Sequence, residues 1–257
     1  MRKYPSVTKR NYFSEKNELK YMGSTQFKSF MDCEAKTMAI INGKYKREVT
    51  DSMLVGSYVD AYFEGTLCAF HSKHPEIFTR TGALKSDFKH AEYIIDRLKR
   101  DKLFMKYMSG KKQVIKTGEI AGVPFKIKID SYHKGKCIVD LKIMKDFAPV
   151  WKEGQGRLSF IEAWGYDIQA AIYQAIEGNN LPFYIAAATK EKEPDLAVIN
   201  IGNEYLKSAL DMVESKVLRF QKIKEGIIEP VRCEKCDYCK KTKVLNEILS
   251  MEDIIYE

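Results

Sequence analysis

The stretch Thr117–Ile143, TGEIAGVPFKIKIDSYHKGKCIVDLKI, constrains the fold of this chain more than any other, because it sets two acids and a lysine at the ends of two short strands. Val123, Phe125, Ile127 and Ile129 alternate with Pro124, Lys126, Lys128 and Asp130, the period-two pattern of a strand with one buried face. Gly135 then sits at the tip of the turn SYHKGK. CIVDLKI follows as a short apolar run, so the two segments form a hairpin. Asp130 closes the first strand, and Asp140 and Lys142, two apart, share a face of the second. Strands deplete aspartate, and burying an unpaired charge is costly. A divalent cation would offset that cost, since converging carboxylates are the hard oxygen ligands that Mg²⁺ takes. A neighbouring lysine can orient or deprotonate an attacking water, which is the chemistry of phosphodiester hydrolysis. The alternative is a solvated Asp140–Lys142 pair on an edge strand.

The surroundings of the hairpin bear on that choice. Asp130 is followed ten positions later by Asp140-Leu-Lys142 on an apolar strand. Further on, Gln169-Ala-Ala-Ile-Tyr173 lies on the helix after these strands, and upstream Gly56-Ser-Tyr-Val-Asp60 lies on another helix. This set resembles the PD-(D/E)xK nuclease superfamily, in the branch that holds the RecB nuclease domain, lambda exonuclease and the RecE-type phage exonucleases. The second and third motifs are similar to that branch's Q-x-x-x-Y and G-x-x-x-H, with Asp60 standing where the family usually has histidine. Asp60 is therefore either a substitute metal ligand or the mark of a missing one.

The resemblance spans roughly residues 24–240 and implies an α/β fold, a central mixed β-sheet flanked by helices around a restriction-endonuclease-like core. It implies Mg²⁺ or Mn²⁺ held by Asp60, Asp130, Asp140 and the Leu141 backbone carbonyl. Lys142 would serve the attacking water, and Gln169 and Tyr173 would position the DNA end. The implied substrate is the end of linear duplex DNA. The implied setting is the cytoplasm of a bacterial host, with the gene carried by a phage or prophage, a RecT-like single-strand annealing protein as partner, and homo-oligomers. Two alternatives stand beside this reading: an iron–sulfur nuclease of the Cas4 and AddB type, and a catalytically silent DNA-binding protein of the same fold.

With 257 residues, 45% of them hydrophobic, the chain can bury a sizeable core and suits one nuclease domain. We divide it into an irregular arm (1–23), a helical part (24–110), a catalytic core (111–225) and a cysteine-containing C-terminal segment (226–257). A net charge of +8 fits a polyanionic partner and adds modestly to the case for DNA. No apolar run approaches ~20 residues and the Met1-Arg-Lys-Tyr-Pro start lacks an apolar core, so a cytosolic protein without a membrane span is expected. In a reducing compartment the six cysteines are thiols or metal ligands. Cys68 and Cys137 are isolated in apolar settings and read as small core residues. Cys233, Cys236 and Cys239 stand at C-x-x-C-x-x-C spacing, and Cys33 resembles in position the remote ligand of cluster-bearing nucleases. Zinc, a four-iron cluster and reduced thiols all remain open for this set.

Along the chain, Ser24 caps a helix carrying Phe27, Phe30, Met31, Met38 and Ile41, with Cys33 inside it and an end near Gly43. Asp51 or Ser52 caps the next, which holds Asp60 on one face with Gly56 and Glu64; Glu64 is taken as solvated. Cys68–Thr81, with His71 and His74, reads as a polar loop. Ser86–Met108 reads as one long amphipathic helix with Tyr93 and Met105 turned inward and a basic outer face. A first strand from Val114 pairs through Gly122 with the strand ending at Asp130, leaving Glu119 far from the acids. Asp146–Ser159 is a glycine-containing loop and Phe160–Glu177 one helix with Trp164 in its apolar stripe. Two more strands, 181–189 and 196–201, and a closing helix, 204–225, complete the pattern.

Overall fold

Two near-continuous runs of burial mark the middle of the molecule, which is a computed structural model describing residues 6–246, 248, 250 and 251. The strands are β1 (Lys111–Ile120), β2 (Val123–His133), β3 (Cys137–Met144), β4 (Val150–Lys152), β5 (Gly156–Leu158), β6 (Phe183–Thr189) and β7 (Leu196–Ile201). Five of them form a sheet in the order β1-β2-β3-β6-β7, while β4 and β5 pair by themselves. The two buried runs are β3 and β6, neighbours at the centre of the sheet. A strand covered on both faces is apolar at nearly every position, and a parallel pair needs a long crossover. β3 and β6 are that parallel pair, with Asp140 beside Ile185, and the other ladders are antiparallel.

The helices are α1 (Glu15–Lys20), α2 (Ser24–Asp32), α3 (Glu34–Ile41), α4 (Asp51–Glu64), α5 (Leu67–Lys73), α6 (Ser86–Arg100), α7 (Lys102–Tyr107), α8 (Phe160–Ala163), α9 (Tyr166–Glu177), α10 (Asn203–Lys224) and α11 (Asp237–Lys241). α8 and α9 make the crossover between β3 and β6. On one side of the sheet, Phe27 and Phe30 of α2, Ile172 and Tyr173 of α9 and Val213, Val217 and Phe220 of α10 pack on Phe125, Ile127, Ile138 and Ile185. On the other, Tyr58 of α4, Ile94 and Leu98 of α6 and Phe104 of α7 pack on Val139, Leu141, Ala186 and Ala188. Alternate residues of β3 and β6 thus feed two cores, and the mixed sheet flanked by helices is the architecture expected from sequence. No described helix is long and apolar enough to cross a membrane.

Several local expectations are corrected. Three helices read as continuous are broken, each by a residue whose backbone leaves the helix. Cys33 is extended (φ −165°, ψ 112°) and caps α3, its sulfur accepting the Lys36 N–H at 3.4 Å, so it lies between α2 and α3 and not within one helix. Asp101 separates α6 from α7 by accepting the Phe104 N–H at 2.8 Å, and Gly165 separates α8 from α9 in the left-handed conformation at φ 60°. After these breaks Tyr93 and Trp164 are exposed, and Met105 is only half-buried. α4 is capped by Thr50, whose hydroxyl accepts the Met53 N–H, and not by Asp51 or Ser52. The segment 67–77 is helical, and Cys68 is exposed on it. The loop 146–159 contains the β4–β5 hairpin. The N-terminal arm carries α1, and Met22 bonds to β2 through the Pro124 carbonyl and the Lys126 N–H. Residues 1–5 of that arm, and 247, 249 and 252–257 of the C-terminal segment, lie outside the described residues.

Candidate active site

The site forms where the central hairpin comes apart. The β2–β3 ladder pairs His133 with Cys137, Tyr132 with Ile138 and Ser131 with Val139, and then stops. The next partners in that register are Asp130 and Asp140, so the two carboxylates leave one face of adjacent strands. This is the physical content of the ten-residue spacing, a turn at Gly135 (φ 69°) plus a fixed register. β2 runs on past Asp130 to His133, so that residue does not close the strand as the sequence suggests. The β1–β2 ladder is also interrupted here. It pairs Lys112 with Ser131 and Val114 with Ile129 but skips Gln113, which sits opposite Asp130 with φ 53°. A buried non-glycine residue in the left-handed region is strained backbone of the kind that collects at functional sites.

Each carboxylate is fixed by its neighbours. Asp130 accepts the Leu141 N–H at 3.0 Å, a donor released where the strands part, and the Gln113 side-chain amide at 3.1 Å. Asp140 accepts the Gln169 amide at 2.7 Å and forms an ion pair with Lys142. The Lys142 ammonium also lies 5.2 Å from the centre of the Tyr166 ring. Gly165 gives α9 the start that points Tyr166, Gln169 and Tyr173 toward the strands. Gln169 and Tyr173 are buried, and the Tyr173 hydroxyl donates to the Lys128 carbonyl at 3.1 Å. Asp60 and Glu64, one turn apart on α4, line the same cleft of about 760 Å³ with Asp130, Asp140 and Lys142. Glu64 is not solvated as expected: it is half-buried and lies 3.8 Å from the Lys128 ammonium. Glu119 is exposed at the far end of β1, paired with Pro124, as expected.

The electrostatics follow from crowding acids in a place short of water. Burial, reinforced by Asp140 and Asp60, raises the Asp130 carboxyl well above the usual carboxylate range. Burial likewise pushes Asp60 up to about 7; Lys142 opposes the rise and Asp140 and Glu64 add to it. Burial alone would lower Lys142, but Asp140 and Asp130 outweigh it and hold the ammonium above the usual lysine range. Lys28 of α2 is lowered to about 8 by burial and by Lys142; it donates to the Trp164 carbonyl at 3.0 Å. Three clustered carboxylates beside one paired ammonium cannot all ionise without further positive charge, and the donors are hard oxygens. The residues therefore fit a divalent cation of the Mg²⁺ type.

Asp60, Asp130, Asp140, Leu141, Lys142, Gln169 and Tyr173, the residues singled out from sequence, all line this one cleft. Cys33, Cys233, Cys236 and Cys239 gather at a second place, with sulfurs within 4.8 Å of one another. Sequence reasoning missed Gln113, Lys28 and the N-terminal wall of the cleft, where Tyr12, Glu15 and Glu18 stand and Lys126 ion-pairs with Glu18 at 2.6 Å. Gln113 could have been found by counting the β1–β2 register back from the turn at Gly122; Lys28 and Tyr12 carry no local signal. His71 and His74, on or just after α5, bond to Tyr58 and Glu76.

Residues 23–242 match the model of a family described as a PDDEXK-like domain of unknown function (DUF3799). A crystal structure from Eubacterium rectale, described as that of a "putative exonuclease", superposes with a TM-score of 0.94 at 46% identity, covering 98% of this chain and 99% of that one. No curated protein matches the chain. With the forked hairpin carrying Asp130 and Asp140-Leu-Lys142 and a family match over most of its length, this chain belongs to the PDDEXK-like DUF3799 family, within the PD-(D/E)xK nuclease superfamily.

Proposed function

We propose that this protein is a divalent-metal-dependent exonuclease that hydrolyses the phosphodiester bonds of linear duplex DNA. The observation that carries the reading is the fork itself, with Asp130 and Asp140 as unladdered cross-strand partners and Lys142 paired to Asp140. The description of the E. rectale protein supports the same activity class.

Asp60, Asp130, Asp140 and the Leu141 carbonyl would hold Mg²⁺ or Mn²⁺. The cation, when bound, supplies Lewis acidity toward the phosphoryl oxygens and neutralises charge developing on them. The chain's own groups do the positioning. Gln169 holds Asp140 in one rotamer, and the Leu141 N–H and Gln113 do the same for Asp130, so neither acid must reorganise during reaction. Lys142, whose ammonium stands beside Asp140, would orient the attacking water through its N–H groups. Lys128, half-buried on the wall of the cleft beside the acids, gives a polyanion an approach that needs no base contacts. By its resemblance to RecE-type enzymes the protein would act on duplex ends in phage-type recombination, as a homo-oligomer and beside a RecT-like annealing protein. Asp60 lining the same cleft as Asp130 and Asp140 argues for a substitute ligand, and so against the silent DNA-binding alternative.

Nucleotide release from linear and from covalently closed circular duplex, with Mg²⁺ and with a chelator, tests the proposal. Mg²⁺-dependent release from the linear form alone is expected. Equal cleavage of closed circles would replace exonuclease by endonuclease, and no release from either with Mg²⁺ or Mn²⁺ would refute the enzyme.

A further inference from the structure

Four thiols from opposite ends of the chain meet at the edge of the helical layer. Cys33 lies at the break between α2 and α3, Cys233 and Cys236 in the segment after α10, and Cys239 in α11. Cys33 and Cys239 are buried, and Cys233 and Cys236 are partly exposed. The Cys33 and Cys239 sulfurs are 3.6 Å apart, those of Cys233 and Cys239 3.9 Å, and all four lie within 4.8 Å of one another. Three of the sulfurs each accept the backbone N–H three residues on: Cys33 from Lys36 at 3.4 Å, Cys233 from Cys236 at 3.3 Å, and Cys236 from Cys239 at 3.5 Å. Amides aimed at sulfur stabilise a thiolate much more than a thiol.

We propose that Cys33, Cys233, Cys236 and Cys239 bind one zinc ion as a tetrahedral structural site. The spacing decides between the chemistries that four cysteines can serve. A tetrahedron with Zn–S bonds of ~2.3 Å has sulfur–sulfur edges of ~3.8 Å, which the 3.6 and 3.9 Å separations bracket. In a four-iron cluster each thiolate binds a different iron, so the thiolates are held roughly 6 Å apart by the core between them. The arrangement has no room for that core. A disulfide would need sulfurs at about 2 Å, which no pair approaches.

The position of Cys33 gives the ion a mechanical role. The thiol caps α3, and Ser29 of α2 and Thr37, Ile40 and Ile41 of α3 line the cleft that holds Asp130 and Asp140. The ion would tie this wall to the chain after α10. Closing a loop from residue 33 to residue 233 removes much conformational freedom from the unfolded chain. Around the site the Tyr45 and Tyr238 rings meet edge to face at 5.3 Å. The Arg232 guanidinium donates to the Cys239 carbonyl at 2.5 Å and to the Thr242 hydroxyl at 3.0 Å, closing the C-terminal turn.

The test is metal analysis of the full-length chain, produced in medium supplied with both iron and zinc and purified without oxygen. One zinc per chain, no acid-labile sulfide and a colourless protein are expected. Iron with sulfide and broad visible absorption would overturn the proposal, as would metal-free protein with all six thiols titratable. Cys236→Ser should lose the zinc and melt lower than wild type, while Cys68→Ser, at an exposed thiol away from the four, should keep both. Should Cys236→Ser fail to fold, Co²⁺ exchanged into wild-type protein decides: intense thiolate-to-cobalt and tetrahedral ligand-field bands are expected, and their absence overturns the site.

Discussion

Asp130→Asn is a revealing perturbation because the structure separates its effects on stability and on chemistry. Asp130 uses one oxygen for the Leu141 N–H and the other for the Gln113 amide. Gln113 Oε1 is buried without a hydrogen-bond partner among the described residues. An asparagine can keep its oxygen on the Leu141 N–H and turn its amide toward a rotated Gln113, which leaves one unsatisfied Gln113 atom before and after. The hydrogen-bond count is therefore unchanged, and the remaining difference is charge. Removing one of three crowded carboxylates relieves its burial cost and its repulsion by Asp140 and Asp60, the causes that raise Asp130. Relief on the order of 1–2 kcal/mol would raise the melting temperature of chelator-treated protein by roughly 2–8 °C for a chain of this size. The same change removes a charged ligand, so the melting gain on adding Mg²⁺ should largely vanish and turnover should fall by about 10³-fold or more. Scanning fluorimetry with and without Mg²⁺, beside nucleotide release, reads both halves. A variant that melts several degrees below wild type in chelator, or keeps wild-type Mg²⁺-dependent release, would refute the placement of Asp130.

Lys142→Ala should lower turnover by about 10²-fold or more while duplex affinity, read by fluorescence anisotropy, changes little; a matching loss of affinity would make Lys142 a phosphate contact. Gln169→Ala frees Asp140 and should weaken the Mg²⁺ dependence of activity by about 10–100-fold, the range for groups that orient a metal ligand. Tyr173→Phe, which removes the bond to the Lys128 carbonyl and the side-chain hydrogen bond with Gln169 but leaves the Gln169–Asp140 bond in place, should cost about 1 kcal/mol of stability and change that dependence less than Gln169→Ala does. Identical Mg²⁺ titrations for the two variants would dissolve the distinction. Lys224, whose ammonium reaches the Tyr21 carbonyl and the Gln26 side chain, is lowered by burial from 10.5 to about 7. Between those values the unfolded chain binds the extra proton, so this lysine makes stability rise with pH from 7 to about 10, by up to about 1.4 kcal/mol per unit. Wild type should thus gain on Lys224→Met across that window in paired denaturation curves, whereas parallel curves would contradict the buried assignment.

The part of the site legible in sequence is the part made by neighbours along the chain. Alternation fixes β2, the apolar run fixes β3, and Gly135 at the turn makes the register opposing Asp130 and Asp140 nearly inevitable. The i to i+4 spacing that puts Gln169 and Tyr173 on one helix face is equally local. So is the three-residue spacing of Cys233, Cys236 and Cys239. What sequence could not show is which segments complete these sets. Asp60 and Cys33 come from helices that approach only through the two cores on either side of the sheet. Tyr12 reaches the cleft because β2, forked from β3, leaves an edge that the N-terminal segment covers through Met22, and Gln113 reaches Asp130 across the β1–β2 pair. The helix breaks at Cys33, Asp101 and Gly165 were hidden for the same reason. The apolar period continues across each break, and local helix preferences of a few tenths of a kcal/mol per residue decide little against the burial of whole side chains. Packing therefore sets where each helix stops, how Trp164 comes to face solvent, and which distant acid stands opposite the fork.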